Sequence, residues 1–311
     1  LKILVTGGAG FIGSHLVEAF LRAGHTVRVL DDFSSGRREN LRAVREDVEV
    51  IRGDCADPRT AARAAQRIEA VFHEGAVPSV ARSVREPALS HRANATATLA
   101  MLVAARDAGV RRFVYAGSSS VYGDTPKLPK TETMPTRPLS PYAVGKTTGE
   151  HYVRIFASLY GMETLTIRYF NVFGPRQAAG SPYSGVISLF AKALLSGETP
   201  TIHGDGRQSR DFTYVENVVE ANRLALKARG LSGQAVNVAT GRRVTLNQLL
   251  ERMARLVGAL PKAKHGPRRA GDVRHSLADI RLARKLLGYR PVVDFETGIA
   301  RTVEWYRSVY R

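Results

Sequence analysis

Residues 2–20 read KILVTGGAGFIGSHLVEAF. Lys2–Thr6 has strand character and runs into a glycine-rich turn. Phe11–Ala23 then carries apolar residues at helical spacing, and Gly24 stops that helix. Gly7, Gly10 and Gly13 form G-x-x-G-x-x-G at the strand-to-helix corner. Glycines there let the backbone turn tightly and approach a pyrophosphate, while the first N–H groups of the helix aim at its charge. Glycines also serve ordinary turns, so the pattern gains its weight from standing between a strand and a helix. Phe11 and Ile12, within the same corner, complete the expected cofactor cradle.

Outward from this corner, strand and helix keep alternating. Thr26–Leu30 ends at Asp31, Val48–Ile51 at Gly53-Asp54, and Val71–His73 at a polar loop. Arg112–Ala116 ends in Gly117-Ser118-Ser119-Ser120, and Thr164–Arg168 is a sixth strand. Helices are expected at Pro58–Gln66, Pro87–Ala108 and Tyr142–Tyr160. Such alternation means parallel strands with right-handed crossovers. The fold class is therefore α/β, a Rossmann-type doubly wound parallel sheet that binds ligands beyond its strand ends. Past Asn171 the regularity fades. Arg210–Tyr214 and Ala235–Val238 read as strands, and Glu216–Lys227, Thr245–Val257 and Phe295–Tyr310 as helices. Residues 1–170 are expected to form the dinucleotide-binding domain, with 211–240 returning to it. Residues 171–311 would form a smaller C-terminal α/β substrate-binding domain that closes over a ligand.

The chain has 311 residues, 44% hydrophobic and 24% charged, which excludes wholesale disorder. No apolar run approaches the ~20 residues of a membrane helix, and the first ten residues lack the marks of a signal peptide. A single cysteine, Cys55, excludes an internal disulfide and a cysteine metal cluster. The expectation is a soluble, cytoplasmic protein with no membrane contact and no metal. The formal charge is +18. A surplus of that size can attract nucleic acid, but the arginines are spread along the chain and no nucleic-acid-binding signature accompanies them. A high-GC genome or a heat-adapted surface with many ion pairs, together with an anionic substrate, is the reading preferred to nucleic acid.

Asp31 stands where a carboxylate accepts hydrogen bonds from the adenosine ribose and repels a 2′-phosphate, which favours NAD over NADP. Arg37 and Arg38 nearby leave NADP open. Asp54 has two readings, a partner for the adenine amino group or a loop aspartate. Tyr142 and Lys146 are i and i+4 on one helix, so both project from one face. An ammonium beside a tyrosine stabilises the phenolate, so the phenol is expected to fall toward neutrality and exchange a proton with a sugar hydroxyl. Lys146 can also hold the nicotinamide ribose. Ser118, from the serine cluster after the fifth strand, can bridge the phenol and a substrate oxygen. A surface i,i+4 pair is the ordinary alternative. A protein that only senses a dinucleotide would have no need of this pair.

Four motifs together, T6-G-G-A-G-F-I-G13, G117-S-S-S-V-Y-G123, Y142-A-V-G-K146 and R168-Y-F-N-V-F-G174, resemble the extended short-chain dehydrogenase/reductase superfamily. The resemblance covers nearly the whole chain and is nearest to the nucleotide-sugar epimerases, the UDP-galactose (UDP-glucose) 4-epimerases above all. It implies an NAD-dependent isomerase of galactose metabolism acting on a UDP-sugar. Tyr142 falls at the family's acid/base tyrosine, Lys146 at its lysine and Ser118 at its serine. The resemblance further implies that Asn171, Arg210 and Arg269 hold the diphosphate, Asp272 the uridine ribose, and Asn94 lies near substrate. His203 falls where relatives stack an aromatic on uracil. Ser276 falls where bulk limits the sugar pocket, so a serine leaves room for an N-acetyl group. Ser119 and Ser120 replace the acidic residues of the related dehydratases and decarboxylases, which disfavours that chemistry. UDP-glucuronate 4-epimerisation is the alternative. The helices around Asn94–Ala108 and Tyr142–Tyr160 resemble those by which relatives form homodimers. Glu74, in the loop after the fourth strand, has no assigned role.

Overall fold

The computed structural model describes residues 1–178, 185–267 and 273–310. In chain order it begins with β1 (Lys2–Thr6), α1 (Phe11–Arg22), β2 (Thr26–Asp31), β3 (Val48–Arg52), α2 (Pro58–Ala65) and β4 (Ala70–His73). Next come α3 (Val80–Arg85), α4 (Pro87–His91), α5 (Ala97–Asp107), β5 (Arg112–Ser118), α6 (Pro141–Tyr160) and β6 (Glu163–Tyr169). The remainder holds β7 (Val172–Phe173), α7 (Val186–Leu195), β8 (Thr201–His203), β9 (Ser209–Arg210), β10 (Thr213–Tyr214) and α8 (Val215–Lys227). It closes with β11 (Gln234–Val238), β12 (Val244–Thr245), α9 (Leu246–Val257), β13 (Lys264–Gly266), α10 (Arg281–Leu287) and α11 (Phe295–Val309).

The central sheet has the order β11-β6-β5-β4-β1-β2-β3, seven strands among the described residues. Every pairing in it is parallel. Alternate residues feed two separate cores, as a pleated strand covered on both faces requires. Ile3, Val5, Val114 and Ala116 pack with Leu16, Phe20, Val218 and Ala221, on the face covered by α1 and α8. Leu4, Phe113 and Tyr115 pack with Ala61, Met101 and Val153, on the face covered by α2, α5 and α6. A third core joins Phe190 of α7, Leu249 and Met253 of α9, and Ile299 and Val303 of α11. This forms the smaller C-terminal α/β part. Its strands are short pairs, β7 with β10, β8 with β13, and β9 with β12.

Two elements place the site. α1 begins at Gly10, which offers no side chain to cap the first turn. α6 begins at Ser140, whose Oγ accepts from the amide of Ala143 at 3.2 Å, with Pro141 at its first position. Gly161, in the left-handed region at φ +67°, ends it. Halfway along α6, Glu150 forms a buried ion pair with Arg168 of β6, and Arg168 also donates to the Tyr122 hydroxyl at 2.7 Å. Removing one partner of such a pair costs about 3–5 kcal/mol, so it holds α6 in register against the sheet.

Several boundaries differ from expectation. The helix expected over Pro87–Ala108 is α4 and α5 joined by a π-helical stretch, Arg92–Thr96. α3 precedes it, within the expected polar loop, capped by Ser79. The strand expected over Arg210–Tyr214 is two, β9 and β10, which pair with different partners. Among the described residues no helix is long and apolar enough to cross a membrane.

Candidate active site

At the cofactor end the turn after β1 is packed against itself. Gly7 has φ +63°, and a Cβ on Gly13 would lie 2.2 Å from the Gly7 carbonyl oxygen and 2.9 Å from Gly8 Cα. Only glycine lets α1 start this close to the turn. Phe11 and Ile12 open the helix, both partly buried. Asp31, at the end of β2, is buried. It accepts the Ala9 amide at 2.9 Å and the Phe33 amide at 2.8 Å. Burial raises its pKa and those two amides lower it. Asp54 accepts from the Ala56 amide at 2.7 Å and from Arg92 at 2.6 Å. Those contacts match the loop-aspartate reading.

The catalytic candidates meet beyond the end of β5. Lys146 is buried and donates to the Ala116 carbonyl at 2.9 Å, its Nζ 6.0 Å from the centre of the Tyr142 ring. Burial pushes Lys146 down to about 8, opposed by the charge of Glu74. Ser118 interacts with the Tyr142 phenol, and its Oγ accepts from the Ser120 hydroxyl at 2.9 Å. The expectation for the phenol's acidity is corrected here. Tyr142 is raised rather than lowered, by burial first and by Glu74 as well, with only Ser118 pulling it down. The amine at Lys146 is directed to a backbone carbonyl instead of the phenol. Tyr142 and Lys146 do lie on one face of α6, with burial working against ionisation of the phenol.

At the substrate end, residues far apart in sequence converge. Asn171 donates to the Asp211 carbonyl at 3.1 Å and to the Ser276 hydroxyl at 3.3 Å. The Ser276 amide in turn donates to the Ser209 carbonyl at 3.0 Å. Asp211 is buried and accepts from Thr240, Gly241 and Ala278, which fixes this junction. Arg210 donates to the carbonyls of Ser209 and Arg274. The charges of Arg243, Arg274 and Arg210 all bear on His275 and depress it, after burial. His203 ends β8, its Nδ1 3.1 Å from the Pro267 carbonyl. Arg269 and Asp272 lie outside the described residues.

Asn94 is a second correction. It is fully buried in the π-helical stretch, donates to Ser90, and packs under Gly145 of α6. Its side chain supports α6 from behind and is not open to a sugar.

The profile of the NAD dependent epimerase/dehydratase family matches residues 3–239. The chain belongs to that family. It is 42% identical to the UDP-glucose 4-epimerase of Mycolicibacterium smegmatis over 99% of both chains. A UDP-glucose 4-epimerase from Thermus thermophilus, solved with NAD, aligns at TM-score 0.91 with 38% identity over 99% of each chain. A UDP-N-acetylglucosamine 4-epimerase from Methanobrevibacter ruminantium, solved with UDP-N-acetylmuramic acid, aligns at 0.94 with 38% identity over 99% of this chain and 98% of that one.

NAD is the cofactor of the epimerase/dehydratase family, and the residues fit it. The Gly7–Gly13 cradle leaves no room for side chains, α1 starts without a side-chain cap, and the Asp31 carboxylate ends the neighbouring strand. Arg243, Arg274 and His275 gather beside Arg210, and no motif marks them. Sequence reasoning missed Tyr169 and Asn222 as partners of Glu74. The Tyr169 hydroxyl donates to Glu74 at 2.7 Å and accepts from Asn222 at 2.8 Å.

Proposed function

We propose that the protein interconverts UDP-hexoses at C4, UDP-galactose with UDP-glucose, and accepts the N-acetylated pair as well. The observation that carries the reading is the convergence of Tyr142, Ser118 and Lys146 beyond β5, beside the glycine cradle. NAD, when bound, supplies the two-electron acceptor and donor that this chemistry needs. Tyr142 takes the O4 proton as C4 becomes a ketone and gives it back when the alcohol reforms. Ser118 links the phenol to that oxygen. Lys146, about 8 and so mostly ammonium at neutral pH, holds the nicotinamide ribose when the cofactor is bound. Arg210, with Arg269, holds the diphosphate through forked hydrogen bonds, and Asp272 the uridine ribose. His203 stacks on the uracil. Tight binding of UDP and loose binding of the hexose let the flat keto sugar present its other face.

A panel of UDP-galactose, UDP-N-acetylglucosamine and UDP-glucuronate with product identification tests the reading. Conversion of UDP-galactose is expected; conversion of UDP-glucuronate alone would establish the uronate alternative, and no conversion of any would end the proposal. Ser276 is small and touches Asn171. Ser276→Tyr should cut the ratio of acetylated to plain turnover by about 10-fold or more, the scale on which pocket size discriminates. An unchanged ratio would remove Ser276 from the specificity argument.

The exposed face of α6 supports homodimerisation. Val144, Ile155 and Leu159 lie on one side of it and are 47%, 42% and 67% exposed. Apolar side chains at one helical face mark an association surface. Leu159→Glu is expected to halve the mass seen by light scattering, and a variant of unchanged mass would place the contact elsewhere.

A further inference from the structure

Glu74 follows β4, and the acid/base scheme leaves its carboxyl unused. Three strand ends stand side by side here, β4, β5 and β6, with His73 opposite Tyr115 and Ser118 opposite Tyr169. The bond from Tyr169 to Glu74 Oε1 therefore joins β4 to β6 across the end of β5, the strand that carries Ser118. Asn222 of α8 holds the Tyr169 hydroxyl from behind, so the strut is anchored at both ends. Glu74 is only partly buried, and its charge is felt by both Tyr142 and Lys146. The groups that face it are Tyr142 and Lys146 from α6 and Tyr169 from β6. His73, on its own strand, is fully buried and pushed down to about 3, so it is neutral. Burial lifts Glu74 itself to about 7, against the Tyr169 bond and the charge of Lys146.

We propose that Glu74, held by Tyr169 and Asn222, is a positioning residue whose carboxylate sets the pH range in which Tyr142 and Lys146 carry the charges that catalysis needs. The proposal rests on reading Tyr142 and Lys146 as the acid/base pair. An anion beside a phenol opposes its ionisation, and an anion beside an ammonium favours it. Removing the charge should therefore lower the pKa of Tyr142 and of Lys146 together. Both limbs of the activity profile then move to lower pH.

The test uses the NAD-loaded protein and two variants. Glu74→Gln should shift both limbs of kcat/KM against pH by about 1 unit toward acid, the size a neighbouring charge produces. Tyr169→Phe removes the donor that favours the carboxylate, so Glu74 keeps its proton to higher pH, and a smaller shift in the same direction follows. Ultraviolet titration of the phenolate, with the trace of Tyr142→Phe subtracted, reads Tyr142 directly. It should show ionisation at lower pH in both variants. That titration decides the charge coupling even if no sugar is turned over, so its failure is separate from failure of the epimerase reading. If Glu74→Gln does not fold, Tyr169→Phe carries both readouts. Lower activity with unmoved limbs, or an unmoved phenolate titration, would overturn the proposal.

Discussion

Tyr142→Phe is expected to lower turnover of the preferred UDP-sugar by about 10²- to 10⁴-fold, the range lost with a positioned acid/base group. The substitution removes one oxygen and leaves the ring. The neighbours of that oxygen keep their own support, because Ser118 accepts from Ser120 and Lys146 donates to Ala116. The fold and the cofactor cradle should therefore be untouched. Melting temperature and NAD content, measured beside kcat, separate lost chemistry from lost structure. A dinucleotide sensor would keep its binding intact and have no turnover to lose. A variant that keeps more than a tenth of wild-type turnover would remove the phenol from the mechanism.

The second large effect is expected at Gly13. A Cβ there would sit 2.2 Å from the Gly7 carbonyl oxygen, 2.8 Å from its carbon and 2.9 Å from Gly8 Cα. All three atoms are backbone, so no side chain can swing aside. Either α1 withdraws from β1 or the turn opens, and both spoil the surface that faces the pyrophosphate. Overpacking of this kind costs about 1–3 kcal/mol. Gly13→Ala should be purified with little or no NAD and should melt several degrees lower. Full NAD content at an unchanged melting temperature would show that the corner yields more easily than its packing implies.

The Rossmann half was legible because its determinants are local. β1, β4 and β5 are buried on both faces and read as apolar runs, and their glycine and serine endings are adjacent in sequence. α9 was legible for the same reason, since Thr245 and Gln248 form a reciprocal cap within four residues. The elements missed depend on distant partners. α3 has six residues, too few for a periodic signal, and gains its helix from packing and the Ser79 cap. α7, VISLFAKALL, is apolar almost all round, so its run fits helix and strand alike. In the site, Tyr142 and Lys146 were legible from their i,i+4 spacing and Ser118 from the serine cluster after β5. Glu74 was visible as an odd charge, but its partner Tyr169 lies 95 residues on. The acidity of Tyr142 was misread because burial, the larger influence, has no signature in an i,i+4 pair. The burial of Asn94 behind Gly145 has no sign in the sequence, because it depends on how α6 packs.

The outermost strand beside β6 is β11, delivered by chain that has already visited the smaller part. A gene fragment ending near residue 170 would keep β5 on one side of Leu165–Tyr169 and leave the other edge, the one β11 covers, unpaired. An open edge of that kind recruits other chains. Splitting this molecule for separate expression of its halves would therefore yield aggregates from the half that looks self-sufficient.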